Sequence, residues 1–127
     1  MAKVTRWTDL PEIERFPGVF TRRFRGEKML AILVRLTPDA LVSPQFHPEE
    51  QLVYLLSGRL RLTAGATEHV LGPGEAMLIP ANEPHSARVA GEEPAVYLEV
   101  LVPPLPVIPG EEASVPRSPS NGEEGGT

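Results

Sequence analysis

Apolar residues in this chain come in short runs cut by proline and glycine. No stretch before residue 110 keeps the 3.6-residue period of a helix. "VFTRRF" (Val19 to Phe24) and "MLAILVRL" (Met29 to Leu36) flank "RGEK", a hairpin-type turn. "QLVYLL" (Gln51 to Leu56) is apolar on both faces, and Ser57-Gly58 then turns the chain into "RLRLTA". That segment alternates strictly, with Leu60, Leu62 and Ala64 on one face and Arg59, Arg61 and Thr63 on the other. "TEHVL", "AMLIP", "HSARV" and "AVYLEVLV" complete the set, with "GPGE" (Gly72 to Glu75) as a further turn. "TPDALVSP" reads as a loop. "WTDLPEIERF" reads as a helical turn, with Asp9 as cap and Pro11 just inside it. About eight or nine short strands with frequent turn signals predict an all-β sandwich or barrel. A closed or double-sheet arrangement also leaves a small chain with few exposed sheet edges.

Composition narrows the chemistry. The 127 residues predict one domain, and 41% hydrophobic residues suffice for one modest core. The absence of cysteine removes disulfides, cysteine-ligated zinc and iron–sulfur sites, and thiol nucleophiles. A formal net charge of -5 provides no basic footprint for nucleic acid. No apolar run is long enough to span a bilayer, and the first residues lack the apolar core of a signal peptide, so the expected location is cytoplasmic. From Gly110 onward the chain is rich in Glu, Pro, Ser and Gly and poor in large apolar residues. Residues 1–109 are therefore expected to form the domain, and residues 110–127 an acidic flexible tail.

The remaining signal lies in two histidine-bearing segments. In "SPQFHPEEQLVYLLSG", Gln45 and His47 are two apart and share a face on a strand. Pro48, Glu49 and Glu50 read as a turn with the acids in water, and Gln51 then shares a strand face with Val53 and Leu55. In "GPGEAMLIPANEPHSARV", a strand ends at Pro80, a turn passes through Asn82, and His85 opens the next strand. With the strands adjacent, Gln45, His47, Gln51 and His85 converge inside a barrel.

These two segments resemble the paired motifs of the cupin superfamily, in its small single-domain form. His47 and Gly58 fit the first motif, with Gln45 in place of its first histidine and Gln51 in place of its glutamate. Gly74, Pro80 and His85 fit the second, with Asn82 where glycine is common and Val89 in place of the closing asparagine. The likeness covers Gln45 to Val89 and extends by strand pattern to about Val102. It implies a jelly-roll β-barrel, the cupin double-stranded β-helix, dimeric and with a divalent metal (Zn, Mn, Fe or Ni) at its centre. The equivalents of the metal ligands are Gln45, His47, Gln51 and His85. Cupins with Gln at the position of Gln51, in the form seen here as "HPEEQ", still bind metal. Two imidazoles and two neutral oxygens leave the ion's charge unneutralised, which lowers affinity and leaves the ion open to an anion.

The resemblance implies a Lewis-acid enzyme of lyase or isomerase type. Its substrate would be a small polar or anionic, sugar-like or carbonyl compound, with Glu99 as acid/base. One group of small cupins linearises unsaturated uronates and carries D-x-F-x-P-x-R on its final strand. Here "LEVLVPPL" offers Glu99, Leu101 and Leu105, so the acid is kept while the aromatic and the arginine are lost. The alternative is a non-catalytic binding or sensing barrel with a degenerate metal site. Expected partners are a small-molecule ligand and a second copy of the chain, with neither nucleic acid nor membrane. His69 reads as an ordinary strand residue, and Tyr54 and Leu56 as packing on the face away from Gln51. Arg59 and Arg61 read as solvated or dimer surface, and Arg22, Arg35 and Tyr97 as pocket candidates of open facing.

Overall fold

The computed structural model describes residues 1–111. Ten strands are found among them: β1 (Ile13–Phe16), β2 (Val19–Arg25), β3 (Leu30–Leu36), β4 (Leu41–Gln45), β5 (Glu50–Ser57), β6 (Leu60–Ala64), β7 (Thr67–Leu71), β8 (Ala76–Ile79), β9 (His85–Val89) and β10 (Ala95–Val102). They form two antiparallel sheets, a larger one in the order β1-β2-β3-β10-β5-β8 and a smaller one in the order β4-β9-β6-β7. This is the expected all-β jelly roll. The inner faces supply the core: Leu30, Ile32, Val34 and Leu36 of β3, Val53 and Leu55 of β5, and Tyr97 and Leu101 of β10 pack toward Leu60 and Leu62 of β6 and Ala87 and Val89 of β9. The period-2 burial of β3, β5 and β6 is the alternation written in their sequences.

Two segments depart from expectation. The stretch read as a loop contains β4, a mostly exposed edge strand that carries Pro44 and, among the described residues, pairs only with β9, through a bulge. Its few buried positions left no alternation to detect, and an edge strand tolerates a proline. The helical turn is a 3-10 turn at Trp7–Asp9 with Arg6 as its N-cap, so Asp9 lies inside it and does not cap it. The following "IERF" is strand β1, at the sheet edge.

Gly58 joins β5 to β6 at φ +79°, and a Cβ there would collide with the Pro94 carbonyl oxygen. Glycine is required on both counts.

Packed structure extends two residues past the expected domain boundary. Glu111 is fully buried and accepts hydrogen bonds from Arg23 Nη1 at 2.7 Å, Arg25 Nε at 2.6 Å, Arg25 Nη2 at 3.1 Å and the Ile108 N–H at 3.2 Å. The rest of the expected tail, 112–127, lies outside the described residues. Burial by itself would raise the Glu111 pKa. The hydrogen bonds from Arg25, Arg23 and Ile108, with the Arg23 charge, outweigh it and hold the carboxyl below its ordinary value of 4.5.

Two stability measurements follow from these contacts. Gly58→Ala should lower unfolding free energy by about 1–3 kcal/mol in a urea titration. Glu111→Gln should destabilise by about 3 kcal/mol at neutral pH, because it leaves buried guanidinium charge without its carboxylate. A depressed carboxyl pKa stabilises above its unfolded value and ceases to do so as pH falls through the folded one. The gap between wild type and Glu111→Gln should therefore close as pH drops below 4.5, and a gap constant with pH would refute the assignment.

Candidate metal centre

His85 opens β9 and His47 lies in the turn between β4 and β5, so the two come from opposite ends of the sequence pattern. One backbone bond ties their loops together: the Asn82 N–H donates to the His47 carbonyl at 2.7 Å. Asn82 makes the turn at φ +65°, a left-handed conformation that asparagine tolerates where the related motif favours glycine. The imidazole rings end with centroids 4.9 Å apart in an edge-to-face arrangement.

The backbone fixes which nitrogen each ring presents. His47 Nδ1 lies 3.0 Å from the Glu49 carbonyl oxygen, and His85 Nδ1 lies 2.9 Å from that of Glu83. A carbonyl only accepts, so each Nδ1 carries the hydrogen and each neutral ring turns a lone pair outward at Nε2. Burial lowers the His85 pKa, and the nearby His47 charge lowers it further, against the raising influence of the Glu83 backbone bond and carboxylate. His85 is thus held neutral. Its Nε2 is buried and has no hydrogen-bond partner among the described residues.

His47 Nε2 faces Gln51 Oε1 at 3.1 Å. Gln51 is buried, opens the inner face of β5, and hydrogen-bonds through its side chain to Glu99. With the amide N–H directed to the Glu99 carboxylate, Oε1 is left toward His47, and two acceptors then meet. A cation held by both atoms would relieve that meeting. With the orphaned His85 Nε2, this is a donor set that fits a divalent ion: two imidazole nitrogens and one amide oxygen, with tautomers set by backbone carbonyls. Among the described residues no three His, Cys, Asp or Glu side chains are grouped to hold a metal, so any such site must use glutamine oxygen.

Of the four expected ligands, the structure gathers His47, Gln51 and His85. Gln45 pairs with His85 in register between β4 and β9, yet it is exposed and its side chain makes no hydrogen bond among the described residues. Glu99 lies on β10, half-buried between the inward-facing Tyr97 and Leu101. Burial raises its pKa to about 7, against the lowering influence of the Arg23 charge and the Gln51 hydrogen bond. Tyr97, on the same face, is pushed well above its usual value by burial and by the Glu99 charge.

Other expectations need correction or completion. Glu49 does not face water. It is buried, with Oε1 3.5 Å from His47 Nδ1, because the residue that lends His47 its carbonyl also brings its own side chain against the ring. Arg22 and Arg35 do not enter the interior; both pair with the Glu12 carboxylate on the outside of the larger sheet. Tyr97 does face inward. Tyr54 and Leu56 face away from Gln51 as expected, but they are exposed. His69 is an exposed residue of β7, and Arg61 pairs with Glu68 at the surface. Arg23 and Arg25 were missed. In "VFTRRF" the alternation places Arg23 with Val19 and Thr21 on the inner face, a signal present in the sequence but hidden by the habit of reading arginine as solvated.

A double-sheet barrel with a histidine pair at its centre, carried on a short strand-turn motif and a distant strand start, is what fold and centre together define. The cupin-domain model matches residues 32–101, more than half of the chain, and the chain belongs to that family. The structure resembles that of KdgF from Halomonas sp. with a TM-score of 0.70 and 21% identity, over 76% of this chain and 90% of that one. It resembles an RmlC-like cupin from Shewanella frigidimarina NCIMB 400 with a TM-score of 0.74 and 13% identity, over 81% and 92%. For TT1209 from Thermus thermophilus the TM-score is 0.62 and the identity 28%, over 80% and 91%. Among the curated proteins none matches the sequence.

The donor geometry ranks the ligands. In calorimetric titrations with zinc or manganese ions, His47→Ala and His85→Ala should each weaken binding about a hundredfold or more, while the exposed Gln45→Ala changes it less than about tenfold. A Gln45→Ala loss as large as that of His85→Ala would refute this ranking.

Proposed function

We propose that this chain is a divalent-metal-binding cupin that acts as a Lewis-acid enzyme of lyase or isomerase type on a small anionic carbonyl compound. The observation that carries the reading is His47 Nε2 facing Gln51 Oε1 at 3.1 Å, beside a His85 ring 4.9 Å away whose buried Nε2 has no hydrogen-bond partner among the described residues. His47, His85 and Gln51 hold the ion, and Gln45 is the fourth candidate at the rim. A zinc, manganese, iron or nickel ion bound there supplies polarisation of a carbonyl oxygen, undiminished by ligand charge. Glu99 takes up and returns a proton beside the donor cluster, oriented by the Gln51 amide.

The exposed position of Gln45 favours a second reading, a binding or sensing barrel whose centre is reduced to three neutral donors. Either way we take the chain to work as a homodimer. Exposed Tyr54, Leu56, Leu78 and Val102 on the outer face of the larger sheet are the apolar surface a second copy would cover.

Metal-loaded protein screened against small 2-oxo acids and uronic acids should turn one of them over. His47→Ala should abolish that turnover, and Glu99→Gln should lower kcat about a hundredfold with KM little changed. An acid that binds to metal-loaded protein without turnover decides for the second reading. Sizing should give twice the chain mass, and Leu78→Lys should return it to the monomer.

A further inference from the structure

The larger sheet carries a second polar assembly on its inner face. β2 turns Thr21, Arg23 and Arg25 inward, and two guanidinium groups so placed require an anion. The anion present is the carboxylate of Glu111. Arg25 grips it side-on, with Nε 2.6 Å from Oε2 and Nη2 3.1 Å from Oε1, which is the bidentate geometry by which arginine recognises carboxylates. Arg23 Nη1 adds a bond of 2.7 Å and the Ile108 N–H one of 3.2 Å. Four donors on one carboxylate describe a receptor for that group.

Three features distinguish this receptor from an ordinary ion pair between neighbouring strands. Its occupant comes from the segment after β10, which crosses back over β2 without strand or helix pairing before Glu111. Two guanidinium charges face one carboxylate within the cluster, and Arg23 Nε is buried with no partner among the described residues. Arg23 is also near Glu99. It lies opposite Ile32 of β3, and Ile32 lies opposite Glu99 of β10, so Arg23 and Glu99 are two strand spacings apart, about 10 Å.

We propose that Arg23 and Arg25 form the carboxylate-binding subsite of the barrel, that its ligand is a small organic acid, and that Glu111 is an internal carboxylate which occupies the subsite until the acid displaces it. The proposal rests on the function proposed above for its direction, with the acid's carboxylate at Arg23 and its remaining carbons toward Glu99 and Gln51. A tethered carboxylate competes at high effective concentration. An acid must therefore gain contacts beyond its carboxylate to displace it, and the device selects acids long enough to reach the donor cluster. The loss of an arginine from the final strand, where the uronate-type pattern carries one, is then offset from β2.

The test is a titration of metal-free, full-length protein with succinate, followed at the arginine Nε–H resonances. Removing the internal competitor should tighten binding roughly tenfold or more in Glu111→Gln and in Glu111→Ala. Adding Arg23→Met or Arg25→Met to either variant should abolish it. Folded Glu111 variants that bind succinate no better than wild type would overturn the proposal and leave Glu111 as a staple. If neither variant folds, wild type decides: succinate must shift the Arg23 and Arg25 Nε–H signals, and unchanged signals at saturation overturn it. Because the readout needs no metal, succinate binding in a protein that takes up no ion would sink the metal reading alone.

Discussion

The centre of this barrel depends on two hydrogen bonds from imidazole Nδ1 to backbone carbonyls, at Glu49 and Glu83. A buried ring has two nitrogens to satisfy, and a carbonyl can satisfy only one that bears hydrogen. Once each Nδ1 is committed to the backbone, each Nε2 must present a lone pair to the interior. Both carbonyls belong to turns, not to strands, so the sheets do not need them. The Asn82 N–H on the His47 carbonyl then locks one turn to the other. The placement of the donors therefore follows from main-chain geometry more than from side-chain packing.

Electrostatics divides the interior of the larger sheet. One end holds the neutral donors His47, His85 and Gln51, with the Glu49 carboxylate behind the His47 ring at its Nδ1 side. The other holds two guanidinium groups against Glu111. Glu99 sits between, hydrogen-bonded to Gln51 on one side and subject to the Arg23 charge on the other. Desolvation disfavours its charge, while both neighbours favour it. A carboxyl whose ionised and neutral forms are so nearly balanced is suited to proton exchange. Neither end alone produces that balance.

Much of the fold was legible because its interior strands obey period 2. Leu60, Leu62 and Ala64 fall on one face in the sequence and are buried together in the structure. The pairing of His47 with His85 was legible from spacing and from the family motifs they resemble. What was hidden lay where polarity and burial disagree. β4, with the sequence LVSPQ, is exposed at an edge, so no apolar alternation betrays it. Glu49 and Arg23 are charged and buried; Glu49 lies against His47, two residues before it, whereas the burial of Arg23 depends on a partner distant in sequence. For Arg23 that partner is Glu111, 88 residues away in a segment whose composition reads as disordered. Composition averages over a window, and a single anchoring carboxylate is lost in that average.

The substitution of glutamine for glutamate at position 51 looks at first like a loss, but the neighbourhood gives it a use. A carboxylate at Gln51 would stand between His47 and Glu99. It would bind a cation more tightly, and it would also repel the Glu99 carboxylate and have no N–H to offer it. The amide meets both neighbours, with its oxygen toward His47 and its N–H toward Glu99. It gives up charge neutralisation at the ion and gains a fixed orientation for the acid. It also leaves the charge of a bound ion uncancelled, just as two guanidinium groups share one carboxylate at Arg23 and Arg25. Both ends then favour an anionic guest, and Glu111 already fills one of them.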